Sequence, residues 1–502
     1  MIEHFDVVIV GGGLSGIGAA WHLQANSPDR SYVVLEGRDR LGGTWDLFRY
    51  PGIRSDSDMF TLGFSFKPWT ASKAIADGPS ILAYLDETAA ENGIDRHIRY
   101  RTRVTGAEWS TADALWAVTA ERDGAPMRFT CSFLFLCTGY YDYARGHAPE
   151  FAGAADFAGR IVHPQFWTPD IDYAGKRVVV IGSGATAVTL VPELAKQAAH
   201  VTMLQRSPTY IVSRPAEDGI ANWLRRWLPA KAAYGVTRWK NVLLQQFFYT
   251  LARRRPEKAK AQIVEMVRGE LGPDYDVATH FTPNYNPWDQ RLCLVPDADL
   301  FGAIRSGKAE VVTDTIERFV PGGIRLASGR TLEADLVVTA TGLKIQLFGG
   351  MAIRVDGKPF DSAAAMTYKG MMFADVPNLA ISFGYTNASW TLKSDLTASY
   401  VTRLLNAMRK RGMRQVTPRV AQPVEPVPFL DFTSGYVQRA ASVLPRQGHR
   451  KPWRLHQNYL RDVMALRHGG IDEEMEFSNP VPRSDRKERR ASIDPVADGQ
   501  IA

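Results

Sequence analysis

A chain of 502 residues, 45% hydrophobic and 23% charged, is too long for one compact core and too apolar to be disordered, so two or three folded domains are expected. The net charge of +7 is concentrated: residues 219–262 hold ten Lys or Arg against one acidic residue, the remainder is slightly acidic, and no nucleic-acid partner is expected. Cys131, Cys137 and Cys293 fit neither a disulfide framework nor zinc-ligand spacing, and no run of about 18 apolar residues suggests a membrane span, so a reducing, cytoplasmic setting without a metal site is expected.

The first predicted element is the β-branched run Phe5–Val10, which passes without a gap into Gly11-Gly12-Gly13-Leu14-Ser15-Gly16. Glu3 and Asp6 stand where a leader peptide would carry basic residues. This is G-x-G-x-x-G at a strand end: Gly11 permits the tight turn, Gly13 admits a pyrophosphate to the backbone, and Gly16 lets the next helix pack on the strand. The N-terminus of that helix favours negative charge. A second strand, Tyr32–Glu36, ends in an acid 20 residues after Gly16, where a ribose hydroxyl needs an acceptor.

The unit recurs. The strand Arg177–Ile181 leads into Gly182-Ser183-Gly184-Ala185-Thr186-Ala187, the accepted G-x-G-x-x-A form, with Val188 continuing the helix. The strand Val201–Leu204 then ends in Gln205-Arg206-Ser207, a guanidinium in place of an acid. A carboxylate there would repel a 2′-phosphate, whereas arginine grips it, so the second site should prefer NADPH to NADH. Two sites of opposite polarity imply two cofactors, an electron donor and an acceptor. The strands Phe133–Gly139 and Leu336–Gly342 both end in Thr-Gly and suit crossings between the two domains.

Between the second site and residue 285 lies a stretch of helix formers in which Trp223, Trp227, Trp239, Phe247 and Phe248 alternate with basic residues. It reads as an amphipathic helical insert. One reading packs its aromatics on the second nucleotide domain and along a substrate tunnel. The other places them on a membrane surface, with Arg253-Arg254-Arg255 facing anionic lipid. From Phe477 onward the polar composition predicts a disordered tail.

Two longer stretches carry a family resemblance. Gly43-Thr44-Trp45-Asp46-Leu47-Phe48-Arg49-Tyr50-Pro51-Gly52-Ile53-Arg54-Ser55-Asp56 resembles the flavin-proximal motif of Baeyer–Villiger monooxygenases, and Phe157-Ala158-Gly159 through His163 to Trp167 resembles their fingerprint. Related flavin-containing N- and S-oxygenases usually carry Tyr or Phe in place of Trp167. Thr168 departs from the family, which usually has Pro or Asp there. The likeness runs to about Asp462, and Arg54–Asp58, Tyr285–Cys293 and Gly384–Trp390 are similar to the actinobacterial ethionamide-activating branch.

The resemblance implies an α/β fold of two Rossmann-like dinucleotide-binding domains with FAD and NADPH as cofactors. The FAD domain would comprise 1–145 and 341–476, the NADPH domain 146–212 and 285–340, with the insert at 213–284 and the tail at 477–502. It implies oxygen insertion into ketones to give esters through a flavin C4a-peroxide stabilised by Arg291, with sulfides and thioamides as further substrates and O2 as co-substrate. Asp56 would be the carboxylate partner of Arg291. Thr44, Trp45, Asp46 and Leu47 would line the flavin ring, Ser15 and Val104 the adenine half of FAD, and His163 would link the nucleotide domains rather than transfer protons. Arg54 and Ser55 are carried over with the motif, and the loops near Trp390 and Tyr436 would shape the pocket. The alternative enzyme is an N- or S-oxygenase acting through the neutral hydroperoxide, which needs no Arg291; a remoter one is a non-enzymatic flavin- and lipid-binding protein. A disulfide reductase would require a C-x-x-C pair that is absent.

Overall fold

The computed structural model describes residues 2–290, 292–430 and 434–480. Arg291 therefore lies outside the described residues, as does the expected tail from 481 on. Two sheets organise the chain. In the first, Ile98–Arg99, Tyr32–Leu35, Glu3–Val10 and Ala125–Leu136 lie side by side in parallel. The beginning of Ala125–Leu136 also pairs antiparallel with Leu115–Arg122, which pairs in turn with Thr102–Ser110, and its end pairs with Leu379–Ile381 from the C-terminal return.

Val7 to Ile9 are fully buried because this sheet is covered on both faces, which is why the strand is a continuous apolar run and not an alternating one. Val7 and Ile9 point into a core shared with the helices Leu14–Asn26 and Trp390–Lys410; Val8 and Val10 point into the opposite core with Trp109 and Trp116.

The second sheet is wholly parallel, in the order Ala309–Thr313, His200–Gln205, Arg177–Ile181, Leu336–Thr339, Arg160–Val162. Val178 and Val180 pack under the helix Ala185–Leu194, while Val179 and Ile181 face a small three-stranded meander through Phe319, Ile324 and Leu326. The two expected Thr-Gly crossings run past each other: Tyr141–Gly146, just after Gly139, pairs antiparallel with Leu343–Ile345, just after Gly342.

The insert is framed by the parallel pair Ile211–Arg214 and Cys293–Pro296 and contains the helices Gly219–Trp227, Ala230–Arg254, Pro256–Leu271 and Val277–Phe281. Asp218 and Asp276 cap two of them by accepting the N–H groups of Ala221 and Thr279. Its aromatics do not pack chiefly on the second domain as one sequence reading expected. Ala221, Tyr234 and Val242 join the core of the first domain, while Val267, Val277 and Phe281 join the second, with Val264, Leu271 and Tyr275 packed against them. Arg238 explains the anchoring. It is buried and donates to the carbonyls of Phe60 and Gly63, at 2.7 and 2.8 Å, around the end of the short helix Met59–Leu62, where carbonyls lack helical partners.

The disordered tail was expected from residue 477, but Met475–Ser478 forms a strand against Gln415–Pro418, and Arg411 lies over the Phe477 ring at 4.3 Å. A polar composition hid a two-stranded closure that depends on a distant partner.

Candidate active site at the first glycine loop

A cavity of about 620 Å³ opens at the carboxyl end of the first sheet, within the size range of small-molecule and cofactor sites. Gly11, Gly13, Ser15, Glu36, Gly43, Thr44, Trp45, Asp56 and Val104, all expected at the site, line it. The glycines are there for different reasons. Gly11 has φ +105°, and a Cβ on it would stand 2.5 Å from the Cys137 carbonyl oxygen. A Cβ on Gly16 would lie 1.9 Å from the Gly11 oxygen, so Gly16 is a packing residue and does not reach the cavity. A Cβ on Gly13 would make only ordinary contact, 3.5 Å from Gly43 Cα, so its bareness matters to whatever enters the cavity.

The donor and acceptor set suits a dinucleotide. The helix Leu14–Asn26 begins at Gly13 with no side-chain cap, leaving first-turn N–H groups for a phosphate. Glu36 is buried and accepts from Gly12 N at 2.7 Å and Arg38 N at 2.8 Å. Burial pushes its carboxyl pKa up while the two N–H donors oppose the shift. With two oxygens, the carboxylate retains capacity for a hydroxyl. Ser15 accepts from the Trp390 indole at 2.8 Å and from Ser382 Oγ at 3.1 Å, which ties the glycine loop to the C-terminal return.

The flavin-proximal motif divides along its length. Thr44 and Trp45 face the cavity, but Asp46 and Leu47 do not, because the short helix Thr44–Leu47 turns their side chains away. Asp46, closed off from solvent, instead pairs with Arg38 at 2.5 Å and Arg49 at 2.9 Å, and so fixes Arg38 in the cavity wall. Leu47 packs against the core of the second domain. Further on, Tyr50 is buried, hydrogen-bonded to Thr186 of the second glycine loop, and its phenol pKa is pushed up to about 12 by burial. Arg54 pairs with Asp299 at 2.5 Å, and Ser55 bonds to the backbone of Ala76; neither lines the cavity. One stretch of 14 residues therefore forms a cavity wall at its ends and a domain joint in the middle.

At the second loop Gly182 has φ +136°, and a Cβ would stand 2.4 Å from the Ala340 oxygen, whereas the space beside Gly184 is open to 4 Å. The helix Ala185–Leu194 starts at Gly184 without a side-chain cap, and Ala187 and Val188 anchor it in the core. Ser183 Oγ donates to Ser207 O at 3.1 Å, holding the loop against the turn that carries the exposed Arg206. These features fit a second dinucleotide with a phosphate near Arg206.

None of the fingerprint residues touches the cavity. Phe157 packs on Phe319, Gly159 lies where a Cβ would meet the Asp335 oxygen at 2.5 Å, and Trp167 packs in the second core against Tyr173. His163 accepts from Gln165 N at Nδ1, 3.2 Å, so its Nε2 carries the proton donated to Gly342 O, also 3.2 Å. Burial lowers its pKa, favouring this neutral form. Gly146 is pressed against the ring: a Cβ there would lie 2.2 Å from it. His163 thus touches both crossing strands.

Several cavity residues were not anticipated: Arg38, Arg103, Tyr143 and Gln346. Tyr143 is half-buried in the cavity wall and bonded to Thr44, and the surrounding protein pushes its phenol pKa up to about 12. Its position just beyond Thr138-Gly139 was the available signal.

The chain matches a family model described as flavin-binding monooxygenase-like over residues 74–229 and one for an NAD(P)-binding Rossmann-like domain over residues 9–77. It is 58% identical over 476 residues to the FAD-containing monooxygenase EthA of Mycobacterium tuberculosis, covering 94% of this chain and 97% of that one. It is 51% identical over 481 residues to the putative FAD-containing monooxygenase MymA of the same species, covering 94% and 97%. An oxidized steroid monooxygenase bound to NADP shares the fold, with a TM-score of 0.76 and 23% identity over 95% of this chain and 100% of that one. Identity at the level seen with EthA, across nearly the whole of both chains, means that the protein belongs to the FAD-containing monooxygenase family, within the class B flavoprotein monooxygenases.

Proposed function

We propose that the protein is an FAD- and NADPH-dependent monooxygenase that inserts one atom of O2 into ketones to give esters, and that it also oxidises sulfides or thioamides. The observation that carries this reading is the flavin-proximal motif, with Thr44, Trp45 and Asp56 in the cavity wall and Tyr50 bonded to Thr186 of the other glycine loop. We assign residues 1–145 and 341–476 to FAD, 146–212 and 285–340 to NADPH, and 213–284 to the insert.

FAD and NADPH, when bound, supply the reducing electrons and the site at which dioxygen is activated. Gly11, Gly13 and the uncapped start of the following helix would hold the FAD pyrophosphate, and Glu36 a ribose hydroxyl. Arg38, fixed by Asp46, lines the same wall. The loop from Gly182 to Val188, with Arg206 and Ser207, would hold NADPH. Arg291 is proposed as the fixed cation for negative charge that develops on the substrate carbonyl oxygen, and Asp56 as its carboxylate partner. Asp56 lines the cavity, which supports its assignment to the site.

The test is NADPH consumption by FAD-loaded protein with a simple ketone, identifying the product by mass and quantifying hydrogen peroxide in parallel. An ester with little peroxide is expected, and Arg291→Ala should abolish the ester while sparing NADPH oxidation. An unchanged ester yield in Arg291→Ala would overturn the assignment of Arg291; failure to consume NADPH would overturn the reading as a whole.

A further inference from the structure

The insert helix Ala230–Arg254 is apolar on two faces. On the inner face Ala233, Tyr234 and Val242 are buried in protein. On the outer face Val236, Trp239, Leu243, Leu244, Phe247, Phe248 and Leu251 recur at helical spacing and are all exposed, Phe247 by 60%. This stripe runs about 22 Å along the axis. The neighbouring helix Gly219–Trp227 adds Trp223 and Trp227, 57% and 73% exposed. On the other side Trp239 meets Tyr459, with the exposed Met464 close by in sequence. Scattered exposed apolar residues need no explanation, but a contiguous aromatic stripe does.

Its charge says what covers it. Of the ten basic groups in residues 219–262, Arg238 is buried and Lys240 and Arg253 pair with Asp218 and Asp289, but Arg226, Lys231, Arg254 and Arg255 are exposed, the last two one helical turn beyond Leu251. Apposing two copies of this face would bring like charges together, whereas an anionic surface complements it. Among the described residues no helix is long and apolar enough to cross a bilayer, so the stripe would lie in the interface, with its rings at headgroup depth.

We propose that this outer face docks on an anionic lipid bilayer. The inner face of the same helix gives the docking a use. Its Gln246 and Tyr249, with Asn387 and Ala388, line a small void beside the main cavity, and Ala388 lines both. Docking would set that wall of the cavity next to the lipid. The proposal does not rest on the reaction assigned above.

The test is co-sedimentation of the full-length holoenzyme with vesicles of phosphatidylcholine, with and without phosphatidylglycerol, at low and high salt. Binding is expected to the phosphatidylglycerol vesicles at low salt, weakened by high salt, and to be lost on phosphatidylcholine alone. Phe247→Ser/Phe248→Ser should weaken it by roughly tenfold for each ring removed. Arg254→Glu/Arg255→Glu should remove much of the salt-sensitive part. Both pairs are surface changes and should retain NADPH oxidation. The proposal is overturned if the parent protein stays in the supernatant with phosphatidylglycerol at low salt, or if Phe247→Ser/Phe248→Ser sediments as the parent does. Analytical ultracentrifugation of the parent without lipid supplies the third arm. A dimer that the Phe pair dissociates, together with no vesicle binding, would make a second copy the occupant.

Discussion

The glycines of the first loop support a paired experiment in which two chemically identical changes three residues apart should behave differently. In Gly16→Ala the new methyl would stand 1.9 Å from the Gly11 carbonyl oxygen, more than an ångström inside contact. The loop cannot retreat freely, since Gly11 N donates to Leu35 O at 2.8 Å and its oxygen faces the start of the helix. Overpacking of this kind costs about 1–3 kcal/mol, enough to lower the apoprotein Tm by several degrees. In Gly13→Ala the methyl makes a 3.5 Å contact with Gly43, which the fold accommodates, so the apoprotein Tm should stay within about a degree of the parent. Both should bind FAD more weakly, Gly16→Ala because the loop is displaced and Gly13→Ala because the methyl stands between backbone and ligand. Differential scanning fluorimetry of the apoproteins, with flavin fluorescence titration for FAD affinity, separates the two. Equal apoprotein destabilisation in both variants, or full FAD affinity in Gly16→Ala, would refute the division of roles.

Two further expectations concern the second domain. Arg206→Ala should raise the KM for NADPH by about ten- to a hundredfold while leaving that for NADH unchanged, the range expected when charge-assisted bonds to a phosphate are lost; steady-state kinetics with both cofactors checks it, and a parallel rise for NADH would refute it. His163 is held neutral by burial, with its pKa below the ordinary 6.5, so the unfolded chain takes up a proton that the folded protein resists. Stability is therefore intact above about pH 6.5 and falls as pH drops through and below it. His147, beside His163, and His280 and His456 shift the same way, so Tm measured from pH 7.5 down to 5.5 should fall in the parent and less steeply in His163→Gln.

What could be read from the sequence was local. A β-branched strand, a glycine loop and a terminal acid or arginine lie close together in the chain, and each has a direct physical meaning, so both loops, Glu36 and Arg206 stand out in the sequence alone. What could not be read was which side of a short helix faces the ligand. Thr44 to Leu47 were expected at the site together, and one turn of helix sends two of the four elsewhere. Arg38 was missed because its importance comes from Asp46, a buried partner whose geometry depends on the fold. Arg238 looked like one more charge in a basic stretch, yet it is buried under carbonyls nearly 180 residues away in the chain.

The placement of the fingerprint changes what its residues can be asked to explain. Phe157, Gly159, His163 and Trp167 contribute no atom to the cavity wall, so any effect of replacing them on turnover is indirect. His163 and Gln165 hold the relation of the two domains directly. The imidazole bonds to Gly342, and the Gln165 amide donates to the carbonyls of Asp142 and Tyr143, at 2.9 and 3.0 Å. Tyr143 itself lines the cavity and bonds to Thr44. A continuous line of contacts therefore runs from the fingerprint through the crossing strand to the cavity wall, so replacing Gln165 by Ala, which removes two of those contacts, should alter FAD affinity in a fluorescence titration, and unchanged affinity would refute this connection.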